Sequence, residues 1–140
     1  MAAIKSFTSL EQSKVLAKIL PIESADSHYV RKVTDFRGNP VDGKWSEPRY
    51  GNTNSKYAHY VVQNFSSYEK LPAWSLAALL EHLRKIDFFP DIIDSVDCVL
   101  MDISFADNED GKIQCLRVEG KTILDTCYGM ILKLHEQNLL

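Results

Sequence analysis

Pro72-Ala73-Trp74-Ser75-Leu76-Ala77-Ala78-Leu79-Leu80-Glu81-His82-Leu83 is a helix with its start signal written in. Ser75 is a favoured N-cap residue, able to accept a bond from an otherwise orphaned first-turn N–H. Trp74 stands just before it and Leu79 four positions after it, the spacing of a hydrophobic staple. Leu76, Leu79, Leu80 and Leu83 recur at i, i+3, i+4 and i+7, which makes one apolar stripe. The stripe dissolves near Asp87, and Pro90 blocks continuation, because its ring clashes with the preceding turn and it has no N–H to donate.

A stripe of this kind needs an apolar surface to lie on. The next segment predicts one, a hairpin over about 96–118 with its turn in Asp107-Asn108-Glu109-Asp110-Gly111. If Asp107 faces Lys112, then Ile103 faces Leu116 and Met101 faces Val118 on one apolar side. Asp102 then faces Arg117 on the other side, a favourable cross-strand pair. A two-residue Asp110-Gly111 turn would instead set Asp102 opposite Glu119, so the first register is preferred. A slip of two residues keeps the same core face in either case.

Farther out, Thr8-Ser9-Leu10-Glu11 has the spacing of a capping box headed by Thr8, opening a helix through Leu16, Ile19 and Leu20 that stops at Pro21. A second short helix is expected from Ser24 to about Lys32. Residues 34–56 hold Gly38, Pro40, Gly43, Pro48 and Gly51 and read as a long irregular loop, a class often tied to function. Residues 57–65 read as a strand, with Tyr57, His59 and Val61 on one face. A last helix starts at Thr122, with Leu124, Cys127, Tyr128, Ile131 and Leu134 as its buried stripe. Gly129 inside it implies a close neighbour, since glycine there costs about 1 kcal/mol relative to alanine. The expected architecture is one α+β domain over residues 1–140. In it a small antiparallel β-sheet, the 96–118 hairpin plus the 57–65 strand, packs against three to four α-helices.

The 140 residues, 45% hydrophobic and 25% charged, suit one globular domain. No apolar run approaches the ~18 residues of a membrane helix, and Met1-Ala2-Ala3-Ile4-Lys5-Ser6 has no basic-then-apolar leader. No membrane association is expected. Three cysteines are poor material for a disulfide framework, which places the chain in the cytoplasm. The net charge is −3, but it is unevenly spread. Residues 1–70 carry ten Lys/Arg against seven Asp/Glu, and residues 71–140 carry six against twelve.

Chemistry-bearing patterns are sparse. His28, His59, His82 and His135 lack metal-ligand spacing, and no metal or cofactor is expected. His82 and His135 read as polar edges of helices, and Cys127 as a small core residue. No glycine pattern matches a phosphate loop. Asp87, Asp91, Asp94 and Asp97 flank apolar residues as a solvated edge would. No catalytic residue stands out. The candidate binding residues are Trp45, Arg49 and Tyr50, with Tyr57 and His59 beside them. Trp, Tyr and Arg dominate binding hot spots, and they also stack on unpaired bases.

Four segments together resemble a family of small proteins of uncharacterised role from Bacteroidetes genomes, often sited in prophage-like or mobile elements. They are Ser9-Leu10-Glu11-Gln12-Ser13-Lys14, Ser24-Ala25-Asp26-Ser27-His28-Tyr29, Pro72-Ala73-Trp74-Ser75-Leu76 with Leu79-Leu80, and Leu124-Asp125-Thr126-Cys127-Tyr128-Gly129-Met130-Ile131 with Leu134 and the tail Glu136-Gln137-Asn138-Leu139. The Pro-Ala-Trp-Ser-Leu block is the most specific. The chain departs from the family pattern at Lys133, where an aromatic is expected, and in a longer insert around Trp45. The resemblance implies a bacterial or phage cytoplasmic accessory protein, with no activity or cofactor attached.

The expected role is a non-enzymatic interaction module that binds a protein partner or a second copy of itself as a homodimer. One alternative is a nucleic-acid accessory protein using the Arg/Lys/aromatic segment 31–57. A second alternative is a small enzyme with a site near His59.

Overall fold

The computed structural model describes residues 6–50, 68–107 and 109–140. The chain divides into two compact units, residues 7–75 and residues 76–140. Both are α+β, and together they hold two three-stranded antiparallel sheets and three α-helices among the described residues. The strand expected over 57–65 lies outside the described residues.

The first unit opens with helix α1, Leu10–Leu16. Its capping box is set one residue later than the Thr8 reading. Ser9 Oγ accepts from the Gln12 N–H (3.2 Å), and Gln12 Oε1 accepts from the Ser9 N–H (3.0 Å). Thr8 is instead turned inward and completely buried. Its N–H donates to the Trp74 carbonyl (3.0 Å), its hydroxyl accepts from the Trp74 N–H (3.1 Å) and meets Ser13 Oγ (2.7 Å), and its carbonyl accepts from the Tyr29 hydroxyl (2.7 Å).

The helix expected over 24–32 is replaced by strand β1, Ser27–Lys32, the centre of a sheet ordered β2-β1-β3. Its partners are β2, Arg49–Tyr50, and β3, Tyr68–Ala73. Only Ile22–Ser24 makes a short 3-10 turn. The reason lies in long-range partners. Asp26 does not serve a local helix; its carboxylate accepts from the Ser75 N–H (2.9 Å) and the Ser75 hydroxyl. Tyr29 and Val30 are residues that favour a half-buried sheet, and a central strand satisfies both its edges. Strand β3 runs through Pro72, in the stretch read as a prelude to the helix. Among the described residues β3 is an edge strand, the place where a sheet tolerates proline.

The second unit begins with α2, Leu76–Arg84, directly after Ser75 as expected. Three strands follow in the order β4-β5-β6: Asp91–Asp94, Val99–Ala106 and Ile113–Gly120. Helix α3, Ile123–Glu136, closes the chain. The β5–β6 register pairs Met101 with Val118, Asp102 with Arg117 and Ile103 with Leu116. The turn is the four-residue loop after Asp107, whose N–H donates to the Lys112 carbonyl (2.8 Å), with Gly111 in the left-handed region. Among the described residues the third strand of this sheet is β4. Thr122 caps α3, accepting from the Asp125 N–H (3.0 Å).

Helix α3 lies on β5 and β6, and α2 packs on α3. Leu79, Leu83, Met101, Ile103, Leu124, Cys127, Met130, Ile131 and Leu134 are fully buried or nearly so. Burial pushes the Cys127 thiol up to about 12. Two glycines set the seat of α3. A Cβ on Gly129 would come within 2.9 Å of Val118 Cγ1, and one on Gly120 within 2.4 Å of Thr126 Oγ1 and 2.8 Å of its backbone nitrogen. Lys133 donates from Nζ to the Arg117 carbonyl (3.2 Å).

His82 is not a polar helix edge. It is 6% exposed, on the same face as Ala78, Leu79 and Leu83, and among the described residues its Nε2 has no hydrogen-bond partner. His135 is exposed as expected. Burial holds the His82 imidazole below its ordinary 6.5, Lys85 pushes it the same way, and Glu81 opposes them.

Two predictions follow from these contacts. Thr8→Val keeps the volume but leaves the buried Trp74 N–H without its acceptor, a loss of about 1–3 kcal/mol. Thr8→Ser keeps the hydroxyl and loses one methyl, about 0.8 kcal/mol. Urea denaturation midpoints should rank wild type, Ser, then Val; a Val variant as stable as Ser refutes the role given to the hydroxyl. For His82, the unfolded chain takes up the proton at a higher pH than the fold does. Stability therefore falls as pH drops below 6.5 toward the lowered folded value, and His82 contributes no slope above that window. His82→Leu should flatten this part of the stability–pH curve and raise the midpoint at neutral pH.

Candidate functional site

In the first unit, residues 33–50 double back along β1 and are not a free loop. The Val41 N–H donates to the Val33 carbonyl (2.9 Å), Gly43 N–H to the Lys32 carbonyl (3.1 Å), and Ser46 N–H to the Val30 carbonyl (2.8 Å). Ser46 Oγ in turn accepts from the Val30 N–H (3.1 Å). Strand β2 then pairs Arg49 with His28 and Tyr50 with Ser27. The facing residues slip by one at each step, so this edge carries extra residues in the manner of successive bulges. Gly43 is required where the chains touch, because a Cβ there would lie 2.2 Å from the Lys32 carbonyl oxygen.

The return begins in a turn organised by Asp35. Its carboxylate accepts from the backbone N–H groups of Arg37 (2.8 Å) and Asn39 (2.9 Å), and Gly38 sits in the left-handed region at φ +81. The Asn39 N–H, above all, holds the Asp35 carboxyl below the usual carboxylate range. The turn leaves Phe36 83% exposed, with the Arg37 guanidinium 5.2 Å from its ring centre.

Trp45 is half-buried. The Arg31 guanidinium lies 5.1 Å from its ring centre and donates from Nε to Glu69 Oε2 (2.6 Å). Arg31 and Glu69 face each other across β1 and β3. One arginine thus stacks on the indole and pairs with a carboxylate, an arrangement that its planar, always-charged head supports and a lysine would not. Tyr50 is 75% exposed and makes an edge contact with Phe7 (5.1 Å).

Among the residues singled out from sequence, Trp45, Arg49 and Tyr50 are described, and Arg49 and Tyr50 are exposed. Successive strand residues point to opposite faces, so Arg49 and Tyr50 do not share one. Tyr50 lies on the face of Ser27, Tyr29 and Arg31, and Arg49 on the face of His28, Val30 and Lys32. Tyr57 and His59 lie outside the described residues. Arg31 and Glu69 were missed as site residues. They are 38 positions apart, and only the strand pairing brings them together.

The second unit holds a shallow hollow of about 380 Å³ between the β5–β6 turn and the end of α3, where Gln114 Nε2 donates to Asp107 (2.7 Å). Among the described residues no set of His, Cys, Asp and Glu gathers as metal ligands, and no helix is long and apolar enough to cross a membrane. No family model matches the chain, and no curated protein or solved structure does either.

The Arg31 stack can be read out directly, because the other tryptophan, Trp74, is completely buried. Iodide should quench Trp45 alone. Arg31→Ala should uncover the indole and increase that quenching, while Trp45→Phe should abolish it. Unchanged quenching in Arg31→Ala would refute the stack.

Proposed function

We propose that the chain is a non-enzymatic interaction module that binds a protein partner through the face of the β2-β1-β3 sheet carrying Arg31, Trp45 and Tyr50. The observation that carries this reading is the Arg31 guanidinium held between Trp45 and Glu69, with Tyr50 left open on the same face. An aromatic and an arginine already fixed in place lose little freedom on binding, which is what makes such residues effective anchors. Phe36, at the tip of the adjoining turn, adds exposed apolar area. The residue resemblances support an accessory protein of a bacterial prophage-like element. The free thiols of Cys98, Cys115 and Cys127 fit a reducing cytoplasm.

A second reading, nucleic-acid association, draws on the opposite face. The strand pairing sets Lys32, Lys70 and Arg49 on it beside Tyr68. Cations with an aromatic could track a phosphate backbone and stack a base.

The test pairs two variants of the full chain. Trp45→Ala with Tyr50→Ala addresses the first face, and Lys32→Glu with Arg49→Glu the second. Cross-linking in host cells should recover a protein partner, or a second copy, with wild type and lose it with the aromatic variant only. Binding to a single-stranded oligonucleotide that weakens steeply with salt, and is lost with the charge-reversed variant, would replace the first reading by the second.

A further inference from the structure

We propose that the outer edge of β4 binds, by strand addition, an extended peptide segment with apolar residues at its centre and lysine or arginine at its ends. This surface belongs to the unit formed by residues 76–140, and it does not rest on the reading of the Arg31 face.

The backbone provides the first part of the argument. In the sheet order β4-β5-β6, β4 has a partner on one side only among the described residues. The Ser95 N–H donates to the Cys98 carbonyl (3.0 Å), which closes a two-residue turn at Val96-Asp97. Hydrogen-bonded and non-bonded pairs alternate in an antiparallel ladder. Counting back from Ser95 and Cys98, the bonded pairs are Ile93 with Leu100 and Asp91 with Asp102. Ile92 and Asp94 therefore turn their N–H and C=O groups outward, where a further strand would meet them.

The side chains provide the second part. All four residues of β4 are exposed. Ile93 is 47% exposed on the open face, Phe89 is 80% exposed just before the strand, and Val96 is fully exposed at the turn. Phe88 packs edge-on against Phe89 (4.7 Å) under the Arg84 guanidinium, which lies 4.2 Å from its ring centre. Asp87 tidies the end of the strand, accepting from the Ser104 N–H (2.9 Å) where β4 no longer reaches β5. The result is a strand edge with apolar area on both faces. Peptide-binding domains use this mode, with main-chain bonds giving affinity and alternate side chains giving selectivity.

Charge decides the occupant. Asp91, Asp94 and Asp97 bracket the apolar residues, and no described cation pairs with any of them. Asp91 even stands directly opposite Asp102, whose carboxylate is already held by Arg117 through Nε (2.7 Å) and Nη2 (2.8 Å). A second copy would bring an equally acidic edge against this one, and like charges across a strand pair are destabilising. A segment with basic ends meets every one of these carboxylates with an opposite charge.

The probe is an acetylated, amidated octapeptide, Val-Thr-Val-Thr with two lysines at each end, and the control has glutamate for each lysine. With the full wild-type chain, the lysine peptide should slow hydrogen exchange at the Ile92 and Asp94 amides. The Ile93 amide, already bonded to β5, should change little. The glutamate peptide should bind at least about tenfold more weakly. Ile93→Lys, at an exposed position, should leave the rest of the amide spectrum in place and weaken the lysine peptide by about tenfold. Equal binding of the two peptides overturns the proposal. So does protection elsewhere without protection at Ile92 and Asp94, or self-association of the chain alone that protects those two amides.

Discussion

Thr8 is the point on which the first unit turns. A single buried hydroxyl and its own peptide group bond the entry to α1, the tyrosine of the central strand and the end of β3. Each partner is a buried polar group that would otherwise lack a bond, and an unsatisfied group of that kind costs more than a bond contributes. The network is thus all or nothing. Trp74 extends it, donating from Nε1 to Ser24 Oγ (3.0 Å), and Asp26 closes it on Ser75. The helix-start signal at Ser75 is the last link of a polar chain that begins at residue 8.

This explains what was legible in the sequence and what was not. The β5–β6 hairpin could be read to the residue because its information is local. Side-chain alternation, one opposite-charge pair and a turn glycine all agree, and such agreement between levels is what specifies a structure. The seat at Gly129 was legible for a similar reason, since glycine inside a helix must be explained by a neighbour. The cap at Ser9 was missed by one residue because Thr8 and Ser9 are both good caps, and only burial decides which turns inward. Strand β1 was misread as a helix because Asp26 finds its partner 49 residues away. The face at Arg31 was invisible for the same reason: Trp45 was legible as a residue type, but its arginine and that arginine's carboxylate come from two different strands.

The misreading of His82 has another cause. Helical periodicity marks which face is buried but not how far the buried stripe extends. Leu76 and Leu80 are only half-buried, while Ala78 and His82 are buried. The stripe is rotated toward the histidine, and an imidazole whose Nε2 has no partner among the described residues is retained in the core. A neutral ring tolerates that position at neutral pH, and a charged one does not.

The two sheets manage their edges in different ways, and the difference bears on function. An open strand edge is a template for any other strand, and proteins usually blunt it. In the first unit the chain leading into β2 slips in register against β1, and β3 carries Pro72. Each of these discourages further pairing. In the second unit β4 pairs without a bulge, has no proline within it, and displays isoleucines. Among the described residues its protection is charge, and charge protects selectively. Aspartates at both ends repel a second acidic edge while leaving the backbone row open. An edge guarded by shape refuses every strand, whereas an edge guarded by charge refuses only strands of its own sign. The acidic half of the molecule, apparent in the sequence as a bare count of carboxylates, becomes in the fold a rule about which strands may dock.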